Sequence, residues 1–183
     1  MGNKLRILGL DIEAKRRGSD WGSGEFKFKQ LICAALRYED EKDHRFLPFD
    51  FTPKQFDKWI APLREPNTIV VAHNGLYDIV GVHGTLIAMG LDGLGPIWLC
   101  DTLKHGPKAS GWARRDLGSM AVRYGITDKG AISQSEWDLA HDGDVKTRDK
   151  VRAYNERDVD VVLELRRAML DRGHLSAPRL WRP

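Results

Sequence analysis

Leu5-Arg6-Ile7-Leu8-Gly9-Leu10-Asp11-Ile12-Glu13 is an apolar run that ends in two carboxylates. Its hydrophobic character reads as a buried central strand of an α/β sheet. Side chains alternate across a strand, so Asp11 and Glu13 share a face with Leu5, Ile7 and Gly9. Two like charges on one desolvated face repel, and each raises the other's proton affinity unless a cation neutralises both. A hard divalent ion such as Mg²⁺ or Mn²⁺, which prefers carboxylate oxygens, accounts for the pair economically. The bland alternative is a strand that has reached solvent and carries two ordinary surface acids.

Two further acids weigh against that alternative. A second apolar strand, Thr68 to Ala72, runs through His73 into Asn74, a good helix N-cap, and a helix then extends to about Met89. On it Asp78 lies in line with Val82, Leu86 and Met89, the buried stripe, although an acid in a first turn also suits the helix dipole. A long helix is expected from about Lys146 to Asp171. Its stripe is Val151, Tyr154, Asp158, Val161, Leu165 and Met169, with Tyr154 one turn before Asp158. Carboxylates are almost never buried unpaired. An arginine partner would satisfy any one of them, but it is a poor account of four acids at strand ends and on buried helix faces.

Asp11-Ile12-Glu13, Asn74-x-x-Tyr77-Asp78 and Tyr154-x-x-x-Asp158 resemble, in order, the three motifs of the DEDD superfamily of 3′-to-5′ exonucleases. A histidine-type third motif needs His five residues before the Asp, where this chain has Ala153. The resemblance is therefore to the tyrosine (DEDDy) branch, as in polymerase proofreading domains and ribonuclease D-like enzymes, and it covers roughly Leu5 to Asp171. Trp137, Gly143 and Asp144, leading into Tyr154 to Val159, are further similar to short stand-alone exonucleases of phages and prophages. Ala14 departs from the Thr or Ser that many relatives carry after the Glu. The resemblance implies an RNase H-like fold with two Mg²⁺ or Mn²⁺ ions about 3.5–4 Å apart. It further implies that Asp11, Glu13 and Asp158 hold the catalytic ion. Asp11 and Asp78 would contact the second, Asp78 through water, and Tyr154 would orient the attacking water.

The 183 residues fit one domain with a single core, and 42% hydrophobic with 30% charged residues describes a globular chain. The first apolar run is short and ends in Asp11, unlike a signal peptide, and the stretch after Asp78 is broken by His83, Asp92 and glycines, so no membrane partner is expected. Cys33 and Cys100 read as small buried residues of a reducing cytosol, and the resemblance to phage and prophage exonucleases implies a bacterial or phage-infected host cytoplasm. Net charge is only +3, yet four proposed ligands are acids, so the remaining surface is more basic than the total suggests. Lys15, Arg16 and Arg17 follow the first motif, and Lys104, Lys108, Arg114 and Arg115 surround Trp112. Beside the catalytic motifs, with Asn74, that mixture suits the phosphates and stacked bases of a single-stranded nucleic acid, with a solvated charged face as the alternative.

Along the chain, residues 18–24 read as a loop, and Phe26 to Tyr38 and Phe46 to Phe51 complete three antiparallel strands. A helix begins near Pro53. The Thr68–Ala72 strand, the Asp78 helix and a strand at Ile97 to Cys100 form a βαβ unit. Asp101-Thr102 reads as the cap of a further helix rather than as a ligand. Arg115 to Tyr124 reads as a helix with Leu117, Met120 and Ala121 inward, Ile126 to Val145 as a long polar loop over the site, and 174–183 as an irregular tail after a 1–173 exonuclease domain. The expected architecture is a mixed sheet, antiparallel in its first three strands and then parallel, flanked by helices. The expected activity is release of nucleoside 5′-monophosphates from DNA or RNA 3′ ends. The alternatives are a catalytically silent nucleic-acid-binding module and an RNase H-type endonuclease on the same fold. Without a polymerase domain in the sequence, any role alongside replication or repair proteins would be in trans.

Overall fold

A computed structural model describes residues 4–14, 31–106, 115–127 and 130–183. Among the described residues six strands form one mixed sheet. In chain order they are β1 (Arg6–Ala14), β2 (Leu31–Tyr38), β3 (Arg45–Leu47), β4 (Thr68–Ala72), β5 (Ile97–Asp101) and β6 (Arg179–Trp181). Their spatial order is β3-β2-β1-β4-β5-β6. β1 pairs antiparallel with β2 and parallel with β4, and β4 pairs parallel with β5. This is the sheet expected of an RNase H-like fold, with the acid-bearing strand near its centre.

The alternation of β1 divides the core into two layers. Leu8, Leu10 and Ile12 face one layer, packed with Ile79, Val82 and Leu86 of α2 (Gly75–Ala88) and with Phe56 of α1 (Pro53–Trp59). Ile7 faces the other layer, where Val159, Val161, Val162 and Leu165 of α5 (Val145–Asp171) meet Leu117 and Met120 of α3 (Leu117–Arg123). Gly9 lies on this second face. A Cβ there would come within 2.9 Å of Leu163 Cγ and Val159 Cγ1, so glycine is what lets α5 lie close against β1.

Most elements fall where the sequence placed them, and the exceptions have local causes. β3 stops at Leu47 because Pro48 has no N–H for a ladder, so the expected run to Phe51 is not made. The 126–145 loop contains a helix, α4 (Gln134–His141), started by a reciprocal capping box between Ser133 and Glu136. Ala140 of α4 packs in a third small cluster with Cys33 and Val151. The expected irregular tail instead supplies β6, antiparallel to β5, with Trp181 packed on the core and edge-on to His83 at 5.6 Å. Asp101 caps a turn rather than a helix, since its Oδ1 accepts the N–H groups of Leu103 and Lys104 at 2.9 and 3.0 Å. Asp116 caps α3 by accepting from Ser119 N–H at 2.9 Å, which moves that helix's start from Arg115 to Leu117. Among the described residues no helix is long and apolar enough to cross a membrane.

Candidate metal centre

The first two acids come from the end of β1, beyond the last register pair with β4, Gly9 opposite Val71. Asp11 and Glu13 are half-buried and point to the α5 face, and from α5 the buried Asp158 reaches the same space. Each of the three offers a carboxylate oxygen, and these oxygens lie within 4.8 Å of one another. Three carboxylates this close are an oxygen donor set suited to a hard divalent cation. The neighbouring Cys33, opposite Glu13 on β2, does not change that character. Burial pushes its thiol well above the usual range, and the charges of Glu13 and Asp11 push it further, so it offers no thiolate.

Asp78 enters from the other side of the sheet. It lies on α2, in the layer of Leu10 and Ile12, and reaches round the end of the β1–β4 pairing to accept the Ile12 N–H at 3.2 Å. It is buried, and it does not belong to the tight cluster of three. Burial raises its carboxyl well above the ordinary range. The Ile12 N–H and its own backbone N–H oppose this, and the charges of Asp101 and Glu13 add to it. Tyr154 is half-buried on α5, one turn before Asp158 on the same helix face.

Two residues of this neighbourhood have roles that the sequence does not reveal: Asn155 is not singled out there, and Asp101 reads as a helix cap. Asn155 is fully buried, and its amide donates to Asp11 Oδ2 at 2.5 Å and to the Asp11 carbonyl at 3.4 Å, tying α5 to β1 beside the acids. Its Oδ1 is buried without a partner among the described residues. The signal was its position three residues before Asp158 in a helix, where side chains share a face. Asp101 is the other. It is buried at the end of β5, and its Oδ1 also accepts the Asn74 N–H at 3.1 Å.

Of the expected nucleic-acid contacts, Asn74 stands at the N-cap position of α2 but does not cap it. Its φ is 66°, in the left-handed region, and its side chain is exposed without a cap hydrogen bond. Lys104 is exposed three residues beyond Asp101. Arg115 is engaged with the fold: its guanidinium donates to the Leu103 carbonyl and its own carbonyl bonds His73 Nε2. Lys15, Arg16, Arg17, Lys108, Trp112 and Arg114, like the loop at 18–24 and the strand residues before Leu31, lie outside the described residues.

No protein-family model matches the chain, and no curated protein matches it in sequence. Among solved structures it is similar to the family B DNA polymerase from the hyperthermophilic archaeon Pyrobaculum calidifontis, with a TM-score of 0.58 and 15% identity. The match covers 91% of this chain and 25% of that polymerase, so the chain spans a quarter of its length. At that identity the likeness speaks for the fold, and the case for chemistry rests on the acids.

Proposed function

We propose that this chain is a metal-dependent 3′-to-5′ exonuclease that releases nucleoside 5′-monophosphates from single-stranded or frayed nucleic acid. One observation carries the reading: carboxylate oxygens of Asp11 and Glu13, from a strand end, and of Asp158, from a helix far along the chain, lie within 4.8 Å of one another. A fold shared with part of a DNA polymerase supports it, because the sequence motifs resemble those of proofreading domains. In this reading Asp11, Glu13 and Asp158 hold one Mg²⁺ or Mn²⁺, and Asp78 helps Asp11 with a second. Such ions, when bound, stabilise the attacking and leaving oxygens of an in-line displacement at phosphorus. The chain's own groups then have separate tasks. Asn155 orients the Asp11 carboxylate through a hydrogen bond to Oδ2. Tyr154 orients the attacking water. A tyrosine hydroxyl, with an ordinary pKa of about 10, suits that hydrogen-bonding task better than proton abstraction at neutral pH.

The test is digestion of 3′- and 5′-labelled single-stranded DNA and RNA with Mg²⁺, Mn²⁺ or EDTA. The expected products are mononucleotides from the 3′ end, formed only with a divalent ion. Internal fragments would point to an RNase H-type endonuclease, and binding without cleavage to a silent module. Full activity after EDTA treatment and repurification in chelated buffer would sink the metal-dependent reading.

A further inference from the structure

We propose that Asp101 is a positioning residue that fixes the β4–α2 junction and thereby places Asp78 and Asn74 at the site. The inference rests on the nuclease reading for the roles of those two residues. Asp78 stands in the first turn of α2, so its location depends on how the chain leaves β4 and enters that helix. The turn makes this entry in an unusual way. Asn74 adopts a left-handed φ of 66°, a region that asparagine enters more readily than other non-glycine residues but still at a cost relative to the right-handed one. Its own side chain makes no cap hydrogen bond, so the restraint comes from elsewhere.

Asp101 supplies that restraint. Its Oδ1 accepts three backbone N–H groups, from Asn74 at 3.1 Å, Leu103 at 2.9 Å and Lys104 at 3.0 Å. Oδ2 is buried without a partner among the described residues, so the bonds at Oδ1 are the ones that hold the carboxylate. The same junction is sewn to β5 at neighbouring positions. Thr102 donates its N–H and its hydroxyl to the Ala72 carbonyl at 3.0 and 3.3 Å, and its hydroxyl also meets His73 Nδ1 at 2.9 Å. Asp101 is the member of this group that reaches Asn74 itself. Because the carboxylate holds Asn74 by its backbone, the Asn74 side chain is left exposed, where it is available to a substrate strand.

Two substitutions in the full chain test this. Asp101→Ala removes the acceptor, whereas Asp101→Asn keeps an oxygen placed to accept the same three N–H groups. Amide hydrogen exchange of metal-free protein reads the junction directly, and steady-state digestion of a labelled single strand reads its consequence. In Asp101→Ala, exchange across residues 74–78 is expected to quicken at least tenfold while β1 and α5 keep wild-type protection, and kcat is expected to fall at least tenfold. Asp101→Asn is expected to restore the protection and most of kcat. Wild-type exchange at 74–78 in Asp101→Ala would overturn the proposal. Loss of protection in Asp101→Asn would overturn it too, and that arm decides even if the alanine variant does not fold. A wild-type chain without nuclease activity would instead remove the functional reading, while the exchange result still decides whether Asp101 fixes the junction.

Discussion

Three carboxylates within 4.8 Å of one another repel unless a cation or a proton lies among them. Asp158→Asn should therefore abolish turnover yet leave the metal-free melting temperature unchanged or raised, because it removes one of the repelling charges. A clear fall in that temperature, followed by circular dichroism, would mark Asp158 as a structural partner instead. Asp78 makes a separate prediction through pH. Burial holds its folded-state proton affinity well above the ordinary carboxylate range, so over the interval between the two the folded chain keeps a proton that the unfolded chain has lost. The contribution of this group to stability is thus greatest at acidic pH. It declines as pH rises from about 4, the unfolded value, through the raised folded value, and is level above that. Asp78→Asn should flatten this decline, so the melting temperature of the variant minus that of the metal-free wild type should grow with pH; a difference constant across the range would refute the account. Asp11, Glu13 and Asp158 were legible in the sequence because strand and helix periods put each on a buried face, and the resemblance to the exonuclease motifs grouped them. Asp78's approach from the opposite layer was not, because it depends on a bond to Ile12 across 66 residues. Asn155, and the reach of Asp101 to Asn74, escaped for the same reason, since nothing local distinguishes a polar residue that will meet a distant backbone.

At Gly9 β1 lies close against α5, and the spacing of these two elements bears on the distance from Asp11 to Asp158. Gly9→Ala would put a methyl within 2.9 Å of Leu163 Cγ and Val159 Cγ1, atoms next to the helix backbone that cannot swing aside as a long chain's tip can. Overpacking of this kind costs about 1–3 kcal/mol. The expected outcome is a lowered denaturation midpoint together with a larger fall in activity than dilution by unfolded protein explains. Wild-type kcat in the folded variant would show that the metal centre tolerates a shift of α5. The elements themselves were readable in proportion to their length. α5, with 27 residues and a continuous stripe, was placed to within a residue at each end. β6, with three residues, has no period to detect and exists because β5 and the core accept it. α4 is polar on most of its surface, and Ser133 with Glu136 was its clearest mark.

At the scale of the whole molecule, the acids gather where the parallel strands end. Asp11 and Glu13 close β1, Asn74 follows β4, and Asp101 closes β5, so the site occupies the crevice at the carboxyl ends of the strands, where open α/β sheets commonly bind ligands. Lys104 follows β5 and is exposed, so positive charge stands next to Asp101 in the chain. In the proposed nuclease reading, a net charge of +3 that already includes the acids of the site favours a phosphate backbone more than the total conveys. Asp78 and Asp158 are buried, so in the proposed nuclease reading a scissile phosphate must come down into the crevice rather than rest on the surface. A terminal nucleotide paired in a duplex has to leave its stack first, at a cost of a few kcal/mol, about what a single strand avoids. Initial rates on a single strand should therefore exceed those on the same strand annealed flush to its complement, and substrate binding should weaken as salt rises. Equal or faster cutting of the blunt duplex would mean that the protein opens ends itself, and the recessed single-strand site would then be wrong.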